Sequence, residues 1–266
     1  LQNTVARRPS SQLMDDLRRA VGSGQYDESE LVAALEATDV DVLVAFRDAF
    51  WESARAEALL YGNHPKSAVS VLSASVDRVL TGDGGEPAWA PSVIKLAANE
   101  PLQLQSAIEH DDAVVAWYLQ GAGQSLRDRA AVALTAQAVS SGFFQQLRTE
   151  QQLGYIVSSF AYPQYDVPGL LLLVQSPSHS AAHVYDAMDR FLADTLTQIS
   201  EDQYLRHQQA LINEILKPDE NLAERAEFYW QSIAVREWGF DSDTKLAEAV
   251  EAVTFADWQA YYRRMF

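Results

Sequence analysis

The chain contains no cysteine. Disulfides, thiolate catalysis and cysteine-ligated metals are therefore excluded. That absence fits a periplasmic or a cytosolic protein and separates neither. Basic charge is scarce too. Lys and Arg number 20 against 37 Asp and Glu, for a formal net charge of −17. Neutralising phosphates needs a basic surface, so no nucleic-acid partner is expected. An acidic surface instead keeps a protein soluble or attracts basic peptides. Long apolar runs are missing as well. A run such as Leu170-Leu171-Leu172-Leu173-Val174 has the length of a buried strand, so no membrane span is expected. The chain opens on Leu1-Gln2-Asn3-Thr4, with neither an initiator Met nor a signal peptide, so Leu1 is not expected to be the natural start.

The usual catalytic signatures are also lacking. Of the five histidines, His64, His110, His179, His183 and His207, only His179 and His183 have ligand-like i, i+4 spacing. A zinc peptidase needs two such histidines, a third ligand and a glutamate that takes a proton from the bound water. Ser180 and Ala182 stand where HExxH or HxxEH requires that glutamate, so no metal ligand is assigned. No Gly-x-Ser-x-Gly elbow occurs. Gly82-Asp83-Gly84-Gly85 lacks the lysine of a phosphate loop, and its acid would repel phosphate. Asp15-Asp16 and Asp111-Asp112 suit helix starts and turns.

Hydrophobic residues are plentiful. They make up 48% of 266 residues, with ten Phe, eleven Tyr and six Trp, enough to fill a real core. Leu13, Leu17 and Ala20 recur at helical spacing up to Gly22-Ser23-Gly24. Asp27 or Ser29 caps the next helix. A third starts at Asp39, with Val42, Leu43, Phe46, Phe50 and Trp51 expected inward. Ala54 to Tyr61 is expected as a strand, and Pro65 opens a helix running to about Leu80. Thr81 to Pro87 is a linker candidate, with a boundary between 81 and 92. Strands are expected at Val93–Ala98, Gln103–Glu109, Ala113–Gln120, Gly154–Tyr162 and Gly169–Ser176. Ser125 caps a long helix whose Val132, Ala136, Val139, Phe143 and Leu147 form one buried stripe. From Ala181 onward helices are expected near 181–198, 201–216, 221–238, 243–252 and 254–265. This order predicts an α+β fold, an antiparallel sheet with helices packed on one face.

One stretch, Phe143 to Val157, carries Arg148 and Tyr155 across a helix-to-strand junction. Arg148 near a helix end is favoured by the helix dipole, with Glu150 as a surface partner. A half-buried tyrosine at a strand start is ordinary. Both side chains are also hydrogen-bond donors. Beside a reacting carbonyl they could hold a substrate backbone or the oxyanion that forms.

The residues Phe144, Leu147, Arg148, Gln152, Leu153, Gly154, Tyr155, Ile156 and Val157 resemble a segment, F-x-x-L-R-x-x-x-Q-L-G-Y-I-V, of the pitrilysin–insulysin family of inverted-zincin metallopeptidases. Upstream, Glu57-Ala58-Leu59 and Gly62-Asn63 resemble that family's strand-to-turn. Downstream, Gly169-Leu170, Val174-Gln175-Ser176, Lys217-Pro218, Tyr229-Trp230 and Phe240-Asp241 fall in the family's order. The resemblance covers roughly residues 25 to 265. It implies inverzincin (LuxS/metallohydrolase-like) domains. Residues 1–85 would be the end of the third domain, and residues 86–266 the fourth, lacking its last strand. It further implies the carboxy-terminal half of a zinc endopeptidase, forming the chamber wall. The zinc and HxxEH would belong to an amino-terminal half, which would be this chain's partner, with peptides as substrates and no cofactor in this chain. Arg148 and Tyr155 would bind substrate backbone and assist the transition state. Three rivals remain: a non-catalytic scaffold subunit, a processing peptidase of the pyrroloquinoline quinone type, and a plain α+β interaction domain, which the length of the match disfavours. The periplasm is implied by resemblance to pitrilysin, although other relatives are cytosolic.

Overall fold

The computed structural model describes residues 8–54, 56–78, 80, 92–97, 100–106 and 109–266. Helix α1 spans Pro9–Val21. Its first turn holds the proline, whose missing N–H is no loss there. Helix α2, Glu28–Glu36, starts at a capping box in which Asp27 and Glu30 satisfy each other's backbone N–H groups. Helix α3, Val40–Ser53, is capped by Asp39. Helix α4 is Ser67–Asp77. Strand β1, Ala113–Gln120, precedes α5, Leu126–Phe143, which the Ser125 side chain caps through the Asp128 N–H. Helix α5 runs on into a π-helical segment, Phe144–Glu150. Strands β2, Ile156–Ala161, and β3, Gly169–Ser176, follow. Then come α6 (Ala181–Gln198), α7 (Glu201–Ile215), α8 (Leu222–Ala234), α9 (Ser242–Glu251) and α10 (Phe255–Met265).

The chain divides into two compact units. The larger holds the described residues of Gln2–Gln25, Ser92–Lys217 and Asp241–Phe266. Its sheet has the order β1-β3-β2, antiparallel throughout. Every residue of the central strand β3 is buried. Successive residues of a strand face opposite sides. Leu170, Leu172 and Val174 join the core with the stripe Val132, Ala136, Val139, Phe143 and Leu147 of the long helix, and with residues of α6, α7, α9 and α10. That packing is the expected α+β layering. The opposite side of β3 carries Leu171, Leu173 and Gln175, also buried. Helix α1 packs on β1 and β3, and the Ser10 N–H donates to the Gln175 side chain.

The smaller unit comprises the described residues of Tyr26–Pro91 together with Pro218–Phe240. Arg236 pairs with Glu57, and the Tyr61 ring meets the Tyr229 ring edge-on. Helices α2, α3 and α4 contain no buried residue.

Several expectations fail here. Phe46 is 67% exposed and Trp51 42%, and Val42, Leu43 and Phe50 are exposed too. The apolar face of α3 is real in sequence, but nothing among the described residues covers it. Ala54–Tyr61, Val93–Ala98 and Gln103–Glu109 are not regular strands among their described residues. Val93 forms only an isolated bridge with Gly22. An apolar run becomes a strand only when it finds a hydrogen-bonding edge; among the described residues the stretch around Val93 meets only residues 21–23, through two backbone bonds, and the other two segments form no ladder. The linker candidate Thr81–Pro87 lies outside the described residues.

Candidate functional site

The register brings distant residues to one end of the sheet. Ala113 at the start of β1 lies opposite Ser176 at the end of β3. Ile156 at the start of β2 lies opposite Gln175. Asp112, Tyr155 and Gln175 are therefore neighbours, although 63 residues separate Asp112 from Gln175. The Tyr155 hydroxyl donates to Asp112 Oδ2 at 2.7 Å. Gln175 Nε2 donates to the same carboxylate oxygen at 2.8 Å and to the phenol oxygen at 2.5 Å. The Ser10 N–H fills Gln175 Oε1 at 3.2 Å. Gln175 is almost wholly buried, so this satisfied amide avoids the cost of an unpaired polar group in the core.

These contacts polarise the groups. Hydrogen bonds from Gln175 first, then Tyr155, hold the Asp112 carboxyl below the usual carboxylate range. The hydrogen bond to Asp112 in turn pushes the Tyr155 phenol above its ordinary value. The two directions agree: a neutral phenol donates to an ionised carboxylate. The Asp112 N–H lies 3.0 Å from His110 Nδ1.

Tyr155 owes its place to Gly154. A β-carbon there would sit 2.1 Å from the Gln175 carbonyl oxygen, so only glycine lets the chain pass this close to β3. Upstream, the π-helical segment ends with Gln152 in the left-handed region, φ 53°. The Leu153 N–H reaches back to the Leu147 carbonyl at 2.9 Å. Leu147 and Leu153 are both buried and pin the two ends of this reversal.

Arg148 lies on the π-helical segment and is half-buried. Its guanidinium has no hydrogen-bond or ion-pair partner among the described residues. The expected pairing with Glu150 is not made; Gln145 Nε2 donates to Glu150 instead, at 3.4 Å. No hydrogen bond joins Arg148 to Tyr155. The arrangement thus offers five unsatisfied donors at Arg148 and an exposed, braced hydroxyl at Tyr155.

Sequence reasoning found these two and missed Asp112 and Gln175. Asp112 read as a turn residue and Gln175 as the end of a strand. One signal was available: Gln175 follows five apolar residues in a strand with no solvent face. His179 and His183 stack, with ring centroids 5.0 Å apart. His179 Nδ1 lies 3.1 Å from Ser178 Oγ. Among the described residues, no group of three or more His, Asp or Glu is placed to hold a metal ion, so this pair does not fit a zinc site.

Known proteins resemble this chain in sequence and in fold. The family model described as "PQQ synthase PqqF-like, C-terminal lobe domain 4" matches residues 134–230, which include the site's Arg148, Tyr155 and Gln175. The human insulin-degrading enzyme is 28% identical over all of this chain and 27% of its own length. Protease 3 of Escherichia coli is 25% identical over 86% of this chain and 24% of its own. The crystal structure of pitrilysin shares the fold, with a TM-score of 0.78 and 24% identity over 90% of this chain and 26% of that one. The chain spans about a quarter of the length of the curated relatives it matches. The chain is thus similar in sequence to pitrilysin–insulysin peptidases, and the family model that it matches describes a C-terminal lobe domain.

Proposed function

We propose that the chain is the non-zinc-binding, carboxy-terminal half of a pitrilysin-like zinc endopeptidase. It forms a wall of the substrate chamber. Arg148 and Tyr155 contact the peptide backbone near the scissile bond. Residues 1–85 end a third inverzincin domain and 86–266 form most of a fourth. An amino-terminal half, its partner, supplies the zinc, which activates the hydrolytic water. We place the enzyme in the periplasm, following the resemblance to pitrilysin. The observation that carries this reading is an unpartnered guanidinium beside a junction whose tyrosine is 51% exposed yet held by buried groups. Unpaired donors beside a braced hydroxyl suit the binding of a peptide backbone. A π-helical segment adds support, since such segments are frequent at functional sites.

The test uses the full-length enzyme. Arg148→Ala lowers kcat/KM by about 10²-fold, the scale for losing one donor, and Tyr155→Phe by about tenfold, the scale for losing one hydrogen bond, each with little loss of stability. Wild-type turnover in both variants would sink the assignment. This chain alone binds no stoichiometric zinc and cleaves nothing; one tightly bound zinc per chain would overturn that.

The family-model match favours a second reading, a processing peptidase of the pyrroloquinoline quinone type. Peptide profiling separates the two: a processing enzyme cuts one precursor, a degrader many unrelated peptides. A scaffold subunit is the outcome if the complete protein carries no HxxEH.

A further inference from the structure

We propose that Asp112 and Gln175 set the hydrogen-bond polarity of Tyr155, so that the tyrosine meets a peptide as an acceptor of a backbone N–H and leaves the carbonyls to Arg148. This rests on the backbone-clamp reading above and assigns its two halves opposite chemistry.

A phenol has one proton and two lone pairs. The orientation of the Gln175 amide follows from Ser10. A backbone N–H can only donate, so the atom it meets is Oε1. Nε2 then faces Tyr155 and Asp112 as a donor. It occupies one lone pair of the phenol. The proton is committed to Asp112 Oδ2. Asp112 cannot release it readily, because its side chain is only 9% exposed and its oxygen already serves two donors. One lone pair of the phenol is left, on a residue that is half-exposed. Arg148, by contrast, has donors only and no partner among the described residues. An extended peptide presents N–H and C=O groups side by side along each edge. An acceptor and a donor together match such an edge, and two donors do not.

Asp112 and Gln175 are thus positioning residues, and the experiment reads polarity rather than stability. In the full-length enzyme, a cleaved peptide is remade with single backbone esters, the scissile amide excepted. Each ester replaces an N–H by oxygen. One replacement should lower kcat/KM about tenfold, the size of one good hydrogen bond. That penalty should vanish in Tyr155→Phe, which has no acceptor. It should vanish in Asp112→Ala, where the hydroxyl is free to turn and donate to the ester oxygen. It should persist in Asp112→Asn, whose carbonyl still takes the phenol proton. In the chain itself, ¹³C-labelled tyrosine should report a lower Tyr155 pKa in Asp112→Ala than in wild type.

A slow Tyr155→Phe enzyme that keeps the full ester penalty would overturn the polarity and leave the clamp intact. So would an Asp112→Ala enzyme that keeps it. Wild-type turnover in both Tyr155→Phe and Arg148→Ala would overturn clamp and polarity together.

Discussion

Replacing Gly154 by alanine tests the frame on which the site is built. The added methyl would lie 2.1 Å from the Gln175 carbonyl oxygen, 2.8 Å from its carbon and 3.4 Å from Ser176 Cα. A β-carbon tolerates nothing closer than about 3.0 Å, so something must move by roughly 0.9 Å. No flexible side chain is available to yield, because all three atoms are backbone of the buried central strand. Gly154 is not among the residues with positive φ, so backbone strain adds nothing and the clash stands alone. Overpacking typically costs about 1–3 kcal/mol. Moving a paired, fully buried strand belongs at the upper end, about 3 kcal/mol. For a protein of this size each kcal/mol shifts the thermal midpoint by about 2–4 °C, so Tm should fall by about 6–12 °C. Tyr155 is the next residue and Gln175 its brace, so in the full-length enzyme catalysis should suffer about as much as folding. A displacement near 1 Å can cost about 10²-fold. Gly142→Ala is the control. Its methyl would meet only the Phe191 ring, at 3.6 Å, and should stabilise α5 by up to about 1 kcal/mol. Calorimetry of both variants decides. A Gly154→Ala protein with the wild-type midpoint would refute the claim that close strand approach fixes this junction.

Phe143 is fully buried and packs edge-on against Phe191, with centroids 5.3 Å apart; Phe143→Ala should cost about 3–5 kcal/mol in urea unfolding. Tyr204 donates to the Val253 carbonyl at 2.6 Å, but Gln208 Nε2 also reaches that oxygen, at 2.9 Å. Tyr204→Phe should therefore cost only about 0.5–1.5 kcal/mol, because no buried acceptor is orphaned. Arg148→Ala should change stability by no more than about 0.5 kcal/mol, as the guanidinium has no partner to lose. The Asp112–Tyr155 contact should have a pH window. The depressed Asp112 pKa stabilises above the ordinary carboxylate value of about 3.9, and that contribution fades as pH falls through the folded value. The raised Tyr155 pKa stabilises below about 10 and its contribution fades as pH rises through the folded value. The stability difference between wild type and Asp112→Ala should therefore be flat between these limits and shrink on both sides.

The segments legible in sequence are those with local start signals and local periodicity, among them the helices capped by Asp27, Asp39 and Ser125. Strands β1 and β3 and helix α6 fall at the expected residues because alternation, apolar runs and Ser caps act locally. The buried stripe from Val132 to Leu147 also holds. Its last turn does not: the π-helical bonding from Phe144 onward leaves no trace in composition, since the same side chains face inward at i→i+4 or i→i+5. The failed strands share another cause. Ala54–Tyr61 is apolar enough to pair, but pairing depends on a partner edge that no local pattern encodes. The exposed Phe46 and Trp51 make the same point for helix faces. At the site, Arg148 and Tyr155 stand seven residues apart in a distinctive stretch and were legible. Asp112 and Gln175 reach Tyr155 only through strand register, which is a property of the folded sheet.

The two site residues are held in different ways, and this asymmetry follows from what flanks them. Each sits beside a buried anchor: Leu147 precedes Arg148, and Leu153 with Gly154 precedes Tyr155. The backbone positions are therefore fixed at both ends of the reversal. Beyond the backbone the cases diverge. The Tyr155 phenol is tied at its tip by two groups, one of them almost wholly buried, so it has little freedom to lose when a peptide arrives. Arg148 has a long, unpaired side chain and must give up rotamer entropy on binding. On the proposed clamp, the braced acceptor would set the register of an incoming backbone and the unbraced donor would follow it. Loosening Tyr155 should consequently blur where a peptide is cut, and shortening Arg148 should slow cutting without moving the cleavage position.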